Sequence, residues 1–592
     1  MSLDFRNTNT LWASTITETL KSLGLKTAII CPGSRSAPLT VAFAQTPEIE
    51  AIPIVDERSA AFFALGIAKR SGVPVALVCT SGTAGANFYP AVIEAKESQI
   101  PLLILTGDRP PELRNCHAGQ TIDQLKLYGH YPNWQAELAT PMADVASLRY
   151  VRQTVIQAFM RSQFPSPGVV HLNCPFRDPL IPVAEPHVNA LRPQISPENF
   201  FEAVNPSPTF NTDLISCPTI TQLAETWSHC QRGLIIVGID HSRKPWDYCR
   251  AIARLSEALE WPVLADALSP LRNYAGLNPN LIATYDLILR NRELAKQLTP
   301  EMVIQLGELP TSKELRAWLD ETQPQRWVIN SGYENLDPLH GKTTHLRLSP
   351  EPLINTVLPQ LKRGRGVDPA NLGSEYLRLW CKAENQIRQS IDTTMKSMDT
   401  LLEGKAAWVI SHTLPAATPV FIANSMPIRD AEFFWTPKNS GIQPFVNRGA
   451  NGIDGTLSTA LGIAHRYQSS VLLTGDLALL HDTNGFLIRN KFVGHLTIIV
   501  INNNGGGIFE VLPISQFDPP FEEFFATPQN IEFEKLAATY GIEYQLIESW
   551  EQLETLLNPL PETGIRLLEL RTDRKVNAKW LQDNLGKFAS EL

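Results

Sequence analysis

The chain has 592 residues, 43% of them hydrophobic and 19% charged, with a formal net charge of −9. That length exceeds what one hydrophobic core serves, so three or four domains are expected. The acidic balance argues against a nucleic-acid surface, no apolar run approaches a bilayer span, and the first residues lack a signal-peptide pattern. The eight cysteines are scattered without a CxxC pair, as expected of reduced, structural thiols in a cytoplasmic protein.

In chain order, residues 1–180 alternate short apolar runs with helical patterns. Residues 27–31, 50–55, 75–79 and 102–106 read as strands, and 59–70 and 86–97 as helices. This alternation predicts a parallel sheet covered on both faces. The proline-dense stretch from Cys174-Pro175 to Pro206-Ser-Pro208 reads as an extended linker. A second βα series begins at residues 234–237, with strands near 263–265, 302–306 and 327–329. Pro350, Pro352, Pro359 and Pro369 break the pattern again. A third series carries strands at 420–423, 471–474, 496–501 and 566–570. The fold class is therefore α/β, with three domains at 1–185, 205–350 and 370–592, each a mainly parallel sheet flanked by helices.

The strongest chemical signal is Gly475-Asp476 followed by Asn502-Asn503-Asn504-Gly505. Two β-branched runs flank a helix-length segment, so the unit is βαβ and both polar ends reach one sheet edge. That edge gathers a carboxylate, a side-chain amide and backbone carbonyls, which suit magnesium or manganese and leave room for phosphate oxygens. A lone Gly-Asp would be an ordinary strand turn; the asparagine run sets this one apart. The glycines 505–507 would let backbone approach a ligand closely.

A second signal is Glu57 in PIVDERSAAFFALGIAKRSG, between a strand and a helix rich in small residues, with Asp56 as the neighbouring candidate. Taken alone, such an acid is a helix-start residue favoured by the dipole. A third signal is arginine at strand ends: Arg35 in CPGSRSAP, Arg109 in TGDRPPEL, Arg429 in NSMPIRD and Arg448 in NRGANGIDG. One such arginine is most simply a solvated charge. Four suggest a substrate with several carboxylates, which guanidinium groups bind bidentately.

The unit at 475–505 resembles the diphosphate–metal motif of thiamine-diphosphate enzymes. With PGSRS, DERSAAFFALG, TSGTAGAN, DRPPEL, AGQTIDQ, NSMPIRD, NRGANGIDG and NNNGGGIF, the first and third domains resemble the MenD family of 2-succinyl-5-enolpyruvyl-6-hydroxy-3-cyclohexene-1-carboxylate synthases. The middle domain matches weakly. The resemblance implies thiamine diphosphate with Mg2+ or Mn2+, decarboxylation of 2-oxoglutarate, and addition of the resulting carbanion to isochorismate, in menaquinone or phylloquinone biosynthesis. It implies metal ligands at Asp476, Asn503 and Gly505, and cofactor contacts from Gly475, Leu477, Gly507, Ile508, Phe509 and the wedge residue Ile453. Leu477, where many thiamine-diphosphate enzymes place glycine, is what this family expects. Glu57 resembles the cofactor-activating acid, and Ser34, Arg35, Gln120, Ser425, Arg429 and Arg448 resemble active-site groups. Arg109 and Lys313 are further substrate-binding candidates. The family's site lies between two subunits, so a homodimer is expected, with a homotetramer as a larger assembly; no nucleic acid or membrane partner is.

Two other readings compete. A related carboligase such as an acetohydroxyacid synthase would hold FAD in its middle domain, but the turn IVGIDHSR lacks a GxGxxG. A silent regulatory subunit would not need Glu57, Asp476 and Asn503 together.

Overall fold

A computed structural model of the protein describes residues 3–202, 204, 217–239, 244–364 and 374–590. Apolar, β-branched runs form its central strands, and the described residues hold three six-stranded sheets. The first contains β1 (Thr27–Ile30), β2 (Glu50–Pro53), β3 (Val75–Cys79), β4 (Leu102–Asp108), β5 (Trp134–Glu137) and β6 (Val169–Pro175). Its order is β2-β1-β3-β4-β6-β5, parallel throughout. The second, ordered β12-β11-β10-β7-β8-β9, comprises β7 (Gly233–Val237), β8 (Val263–Ala265), β9 (Leu281–Ile282), β10 (Met302–Leu306), β11 (Gln325–Ile329) and β12 (Thr343–Leu346). The third, ordered β14-β13-β15-β16-β18-β17, comprises β13 (Pro419–Ile422), β14 (Gln443–Phe445), β15 (Ser470–Gly475), β16 (His495–Asn502), β17 (Glu543–Ile547) and β18 (Gly564–Arg571). Helices on both faces bury the central strands, the arrangement expected of parallel sheets.

Three local expectations change. The prolines at 350 and 352 open a helix, Pro350–Gly364, rather than ending one. At a first turn the missing N–H would have no intrahelical partner, so it costs nothing. Leu353, Ile354, Val357, Leu358 and Leu361 then share a buried face at helical spacing. Between 174 and 204, short helices Pro186–Asn189 and Pro197–Phe201 each begin on a proline, and Val188, Phe200 and Phe201 enter the first core. The expected linker residues Pro206 and Pro208, and residues 365–373, lie outside the described residues. The expected helix at 86–97 is two pieces, Thr83–Ala86 and Tyr89–Glu97.

The chain divides into two compact units. One is Met1–Asn211 with Asn447–Tyr467 and Leu479–Gly494; the other is Thr212–Val446 with Gln468–Ala478 and His495–Leu592. In the first unit the helix Glu57–Ser71 crosses the helix Thr456–Ala464 at backbone contact. A Cβ on Gly66 would sit 2.1 Å from the Thr459 carbonyl oxygen, and one on Gly462 2.2 Å from that of Phe63. In the second unit the second and third sheets share a hydrophobic cluster, joined by a buried pair in which Arg272 Nη2 donates to Glu432 Oε1 at 2.8 Å.

Candidate active site

The candidate residues fall into two sets, one in each unit. In the second unit the parallel pairing of β15 with β16 aligns Gly475 with Ile501 and brings the two strand ends to one edge. Asp476 follows β15 directly and is buried. Its Oδ1 accepts from the Leu477 backbone N–H at 2.7 Å and its Oδ2 from the Gly505 N–H at 2.8 Å. Burial, partly countered by these N–H groups, pushes the carboxyl up to about 6, a preference that a bound cation would reverse. Asn503 is buried, and its Nδ2 donates to Glu403 Oε1 at 2.8 Å. Its Oδ1 is buried without a hydrogen-bond partner among the described residues. A buried amide oxygen left open in the same loop that binds a carboxylate fits a hard cation.

Asn502 and Asn504 hold the loop. Asn502 Nδ2 donates to Glu569 Oε1 at 2.6 Å, and Asn504 Nδ2 to Asn530 Oδ1 at 2.9 Å. Gly505 has φ +145°, and a Cβ there would meet the Ala526 carbonyl oxygen at 2.4 Å. This glycine therefore admits the protein's own backbone. Gly507 is similar, since a Cβ would lie 2.6 Å from Asn503 Nδ2. Gly475 has open space where its Cβ would be. Leu477, Ile508 and Phe509 are half-buried; Ile508 packs against the core and Phe509 meets Phe525 edge to face.

Ser425 lies between β13 and the helix Met426–Phe434 with φ +75°, a conformation unusual for serine and common at functional sites. Its carbonyl accepts from Arg429 Nη1 at 2.5 Å. The next residue, Asp430, is wholly buried with neither oxygen partnered among the described residues; burial and then Glu403 push its carboxyl well up. Glu403 itself is buried, and burial raises it to about 7. Lys313 is exposed at the start of the helix Lys313–Thr322. It shares the second unit with the metal motif.

In the first unit Asp56 caps the helix Glu57–Ser71, and Glu57 is its first residue, half-buried at the positive end. Asp56 is a structural acid. It accepts from Arg58 Nη2 at 2.7 Å and from Asn484 Nδ2 at 2.7 Å, and the Arg58 contact foremost holds it at about 2. Burial and nearby charges, Glu57 among them, push the Cys31 and Cys79 thiols well up. Further in, Asp482 is wholly buried and accepts from Ser458 N at 2.7 Å, Ser458 Oγ at 2.9 Å and Ser59 Oγ at 3.4 Å. Burial raises it to about 7.

Ser81 joins the arginine candidates. Its hydroxyl contacts Arg109 Nη1 at 2.6 Å and the Gln120 carbonyl at 2.9 Å, and Gln120 Nε2 donates to the Ser81 carbonyl at 3.0 Å. Arg35 is buried, donating from Nη1 to the Phe176 carbonyl at 2.8 Å; burial and then Arg109 lower its pKa. Ser34 is exposed. The loop 447–455, carrying Arg448 and Ile453, is held by Glu94. That carboxylate accepts from Gly449 N at 3.1 Å and Ala450 N at 2.7 Å, with the buried Lys69 ammonium 3.4 Å away. Arg448 and Ile453 are half-buried, and the Ile453 carbonyl accepts from Thr456 Oγ1 at 2.7 Å.

The sequence does not single out Ser81, Glu94 or Glu403. Ser81 stood inside a quoted motif, TSGTAGAN; the other two act across long sequence separations that no spacing reveals.

Three parallel sheets with an oxygen-rich edge at β15 and β16 define the class. The model for "Thiamine pyrophosphate enzyme, N-terminal TPP binding domain" matches residues 12–127, and that for "Middle domain of thiamine pyrophosphate" matches residues 211–422. A curated 2-succinyl-5-enolpyruvyl-6-hydroxy-3-cyclohexene-1-carboxylate synthase of Gloeothece citriformis is 63% identical over the whole of both chains. Synthases of the same name from Trichormus variabilis and a Nostoc species are 62% and 61% identical, again over the full length of both. The chain belongs to the 2-succinyl-5-enolpyruvyl-6-hydroxy-3-cyclohexene-1-carboxylate synthase family.

Proposed function

We propose that the protein decarboxylates 2-oxoglutarate and joins the remaining four-carbon unit to isochorismate, releasing CO2 and forming the product for which its relatives are named. The observations that carry this reading are the Asp476 carboxylate bound to the Gly505 N–H and the buried, unpartnered Asn503 amide oxygen two residues earlier, in a chain that matches these synthases from end to end. Asp476, Asn503 and the Gly505 carbonyl would hold Mg2+ or Mn2+ and, through it, the cofactor's diphosphate. When bound, thiamine diphosphate supplies the electron sink that makes loss of CO2 from a 2-oxo acid feasible.

The chain's own residues do the rest. Glu57, fixed at a helix start, would hydrogen-bond the cofactor ring and hold a proton there. Arg429 and Arg448, with Arg35, Arg109, Ser34, Gln120, Ser425 and Lys313, orient the substrate carboxylates. Ile453 would serve as the apolar wedge against the cofactor, and Ile508 and Phe509 would line the substrate pocket. Residues 1–185, 205–350 and 370–592 serve as the pyrimidine-binding, central and diphosphate-binding domains. The working unit is a cytoplasmic homodimer or homotetramer in menaquinone or phylloquinone biosynthesis. No helix among the described residues is long and apolar enough to cross a membrane.

The test is an assay of the purified protein with 2-oxoglutarate, isochorismate, thiamine diphosphate and Mg2+. Product is expected only with all four. Carbon–carbon bond formation without isochorismate, or none with the complete mixture, would overturn the substrate assignment.

A further inference from the structure

Side-chain amides present an oxygen on one side and an NH2 on the other, and a metal ligand needs the oxygen side. Asn503 is buried, so rotation of its amide by half a turn would put two N–H donors where a cation must sit. Among its described partners, one acceptor fixes the choice: Glu403 Oε1, 2.8 Å from Asn503 Nδ2. Glu403 lies 100 residues earlier, at the first position of the helix Glu403–Thr413, and only 1% of it is exposed. It is held on two more sides, its N–H donating to Asn577 Oδ1 at 3.3 Å and its Oε1 accepting from Thr572 Oγ1 at 3.3 Å. Gly507 closes the space around the same nitrogen, since a Cβ there would lie 2.6 Å from Nδ2. The opposite face of the amide, Oδ1, stays buried and open.

We propose that Glu403 is a positioning residue for the cation, an acceptor that holds the Asn503 NH2 and so leaves the amide oxygen, not the nitrogen, free for the metal. The inference rests on the cofactor reading above and extends it to a residue outside every motif. Its role is geometric: Glu403 never touches the cation, and what it supplies is a hydrogen-bond acceptor at a fixed place. Supporting residues behind metal ligands commonly govern affinity by about 10- to 100-fold.

Two substitutions separate acceptor from charge. Glu403→Gln keeps an oxygen able to accept from Asn503 and removes the charge; Glu403→Leu keeps similar bulk and removes the acceptor. Each full-length apoprotein is titrated with Mg2+ at fixed thiamine diphosphate, following cofactor binding by calorimetry, with the metal-free unfolding temperature measured alongside. The expected result is that Glu403→Gln half-saturates within about threefold of the wild-type Mg2+ concentration while Glu403→Leu needs about tenfold more. The metal-free unfolding temperature of the glutamine protein should match wild type. A leucine protein with the wild-type Mg2+ curve overturns the proposal, and so does a glutamine protein that loses tenfold or more. The glutamine result decides the matter alone should the leucine protein fail to fold. A wild-type protein with no Mg2+-dependent cofactor binding would instead overturn the functional reading, and this inference with it.

Discussion

The two sets of candidate residues are built on opposite plans. Around Asp476 the second unit forms a socket: two backbone N–H groups fix the carboxylate, Glu403 fixes the amide, and one buried oxygen is left open. Around Glu57 the first unit places a single half-buried acid at a helix start and supports it with closed neighbours. Asp56 is fully engaged by Arg58 and Asn484, and Asp482 by Ser458 and Ser59. On the proposed function, one region binds and the other acts on what is bound.

That contrast predicts different failures. The largest effect is expected from Glu57→Gln, which should cut turnover about 100- to 10,000-fold while calorimetric cofactor affinity stays near wild type. Full activity would remove Glu57 from the chemistry. Asp476→Ala should do the reverse, weakening Mg2+-dependent thiamine-diphosphate binding by about 100-fold or more, since the ligand itself is lost. Unchanged affinity by calorimetry would empty the socket of meaning. Next come Arg429→Ala and Arg448→Ala, one from each unit. Each removes a charged hydrogen-bond donor, a change of about 1.5–3 kcal/mol, so KM for a dicarboxylic substrate should rise about 10- to 100-fold. Wild-type kinetics with both 2-oxoglutarate and isochorismate in both variants would refute carboxylate binding by the two arginines.

Smaller effects test the framework of the first unit. Gly462→Val must push the helix Thr456–Ala464 away from the Phe63 carbonyl, and should lower stability by about 1–3 kcal/mol in a denaturant titration. Asp482 tests the same framework through pH. Its folded carboxyl titrates at about 7 against an ordinary 3.8, so the folded state keeps a proton that the unfolded state releases. The resulting stability is full below about 3.8 and fades as pH rises through about 7. Asp482→Asn should flatten that slope in metal-free unfolding curves from pH 4 to 8 (an interval set by those two values); an unchanged slope would assign it to other groups.

How far the sequence reveals this depends on where information sits along the chain. Strands such as 302–306 and 75–79 are apolar runs buried on both faces, so their composition announces them. The strands left unread are mainly sheet edges: β5, β9, β12, β14 and β17 are short or half-exposed. β6 is central, but His171 and Asn173 interrupt its apolar run. Asp476, Asn503 and Gly505 are legible because two adjacent strand ends deliver them within one motif. Glu403 and Glu94 are not, because each meets its partner across at least 100 residues and nothing local marks them. Proline misled where its position mattered more than its presence, as in the helix Pro350–Gly364.

The first unit is assembled from three separated stretches, and this has a consequence for biosynthesis. The helix Glu57–Ser71 is translated long before the helix Thr456–Ala464 against which its glycine face closes. At about 5–20 residues per second, that interval is on the order of 20–80 s. For most of it, the first-sheet strands have been made while the crossing partner has not. Glu57 thus reaches its final setting only after most of the chain has been synthesised.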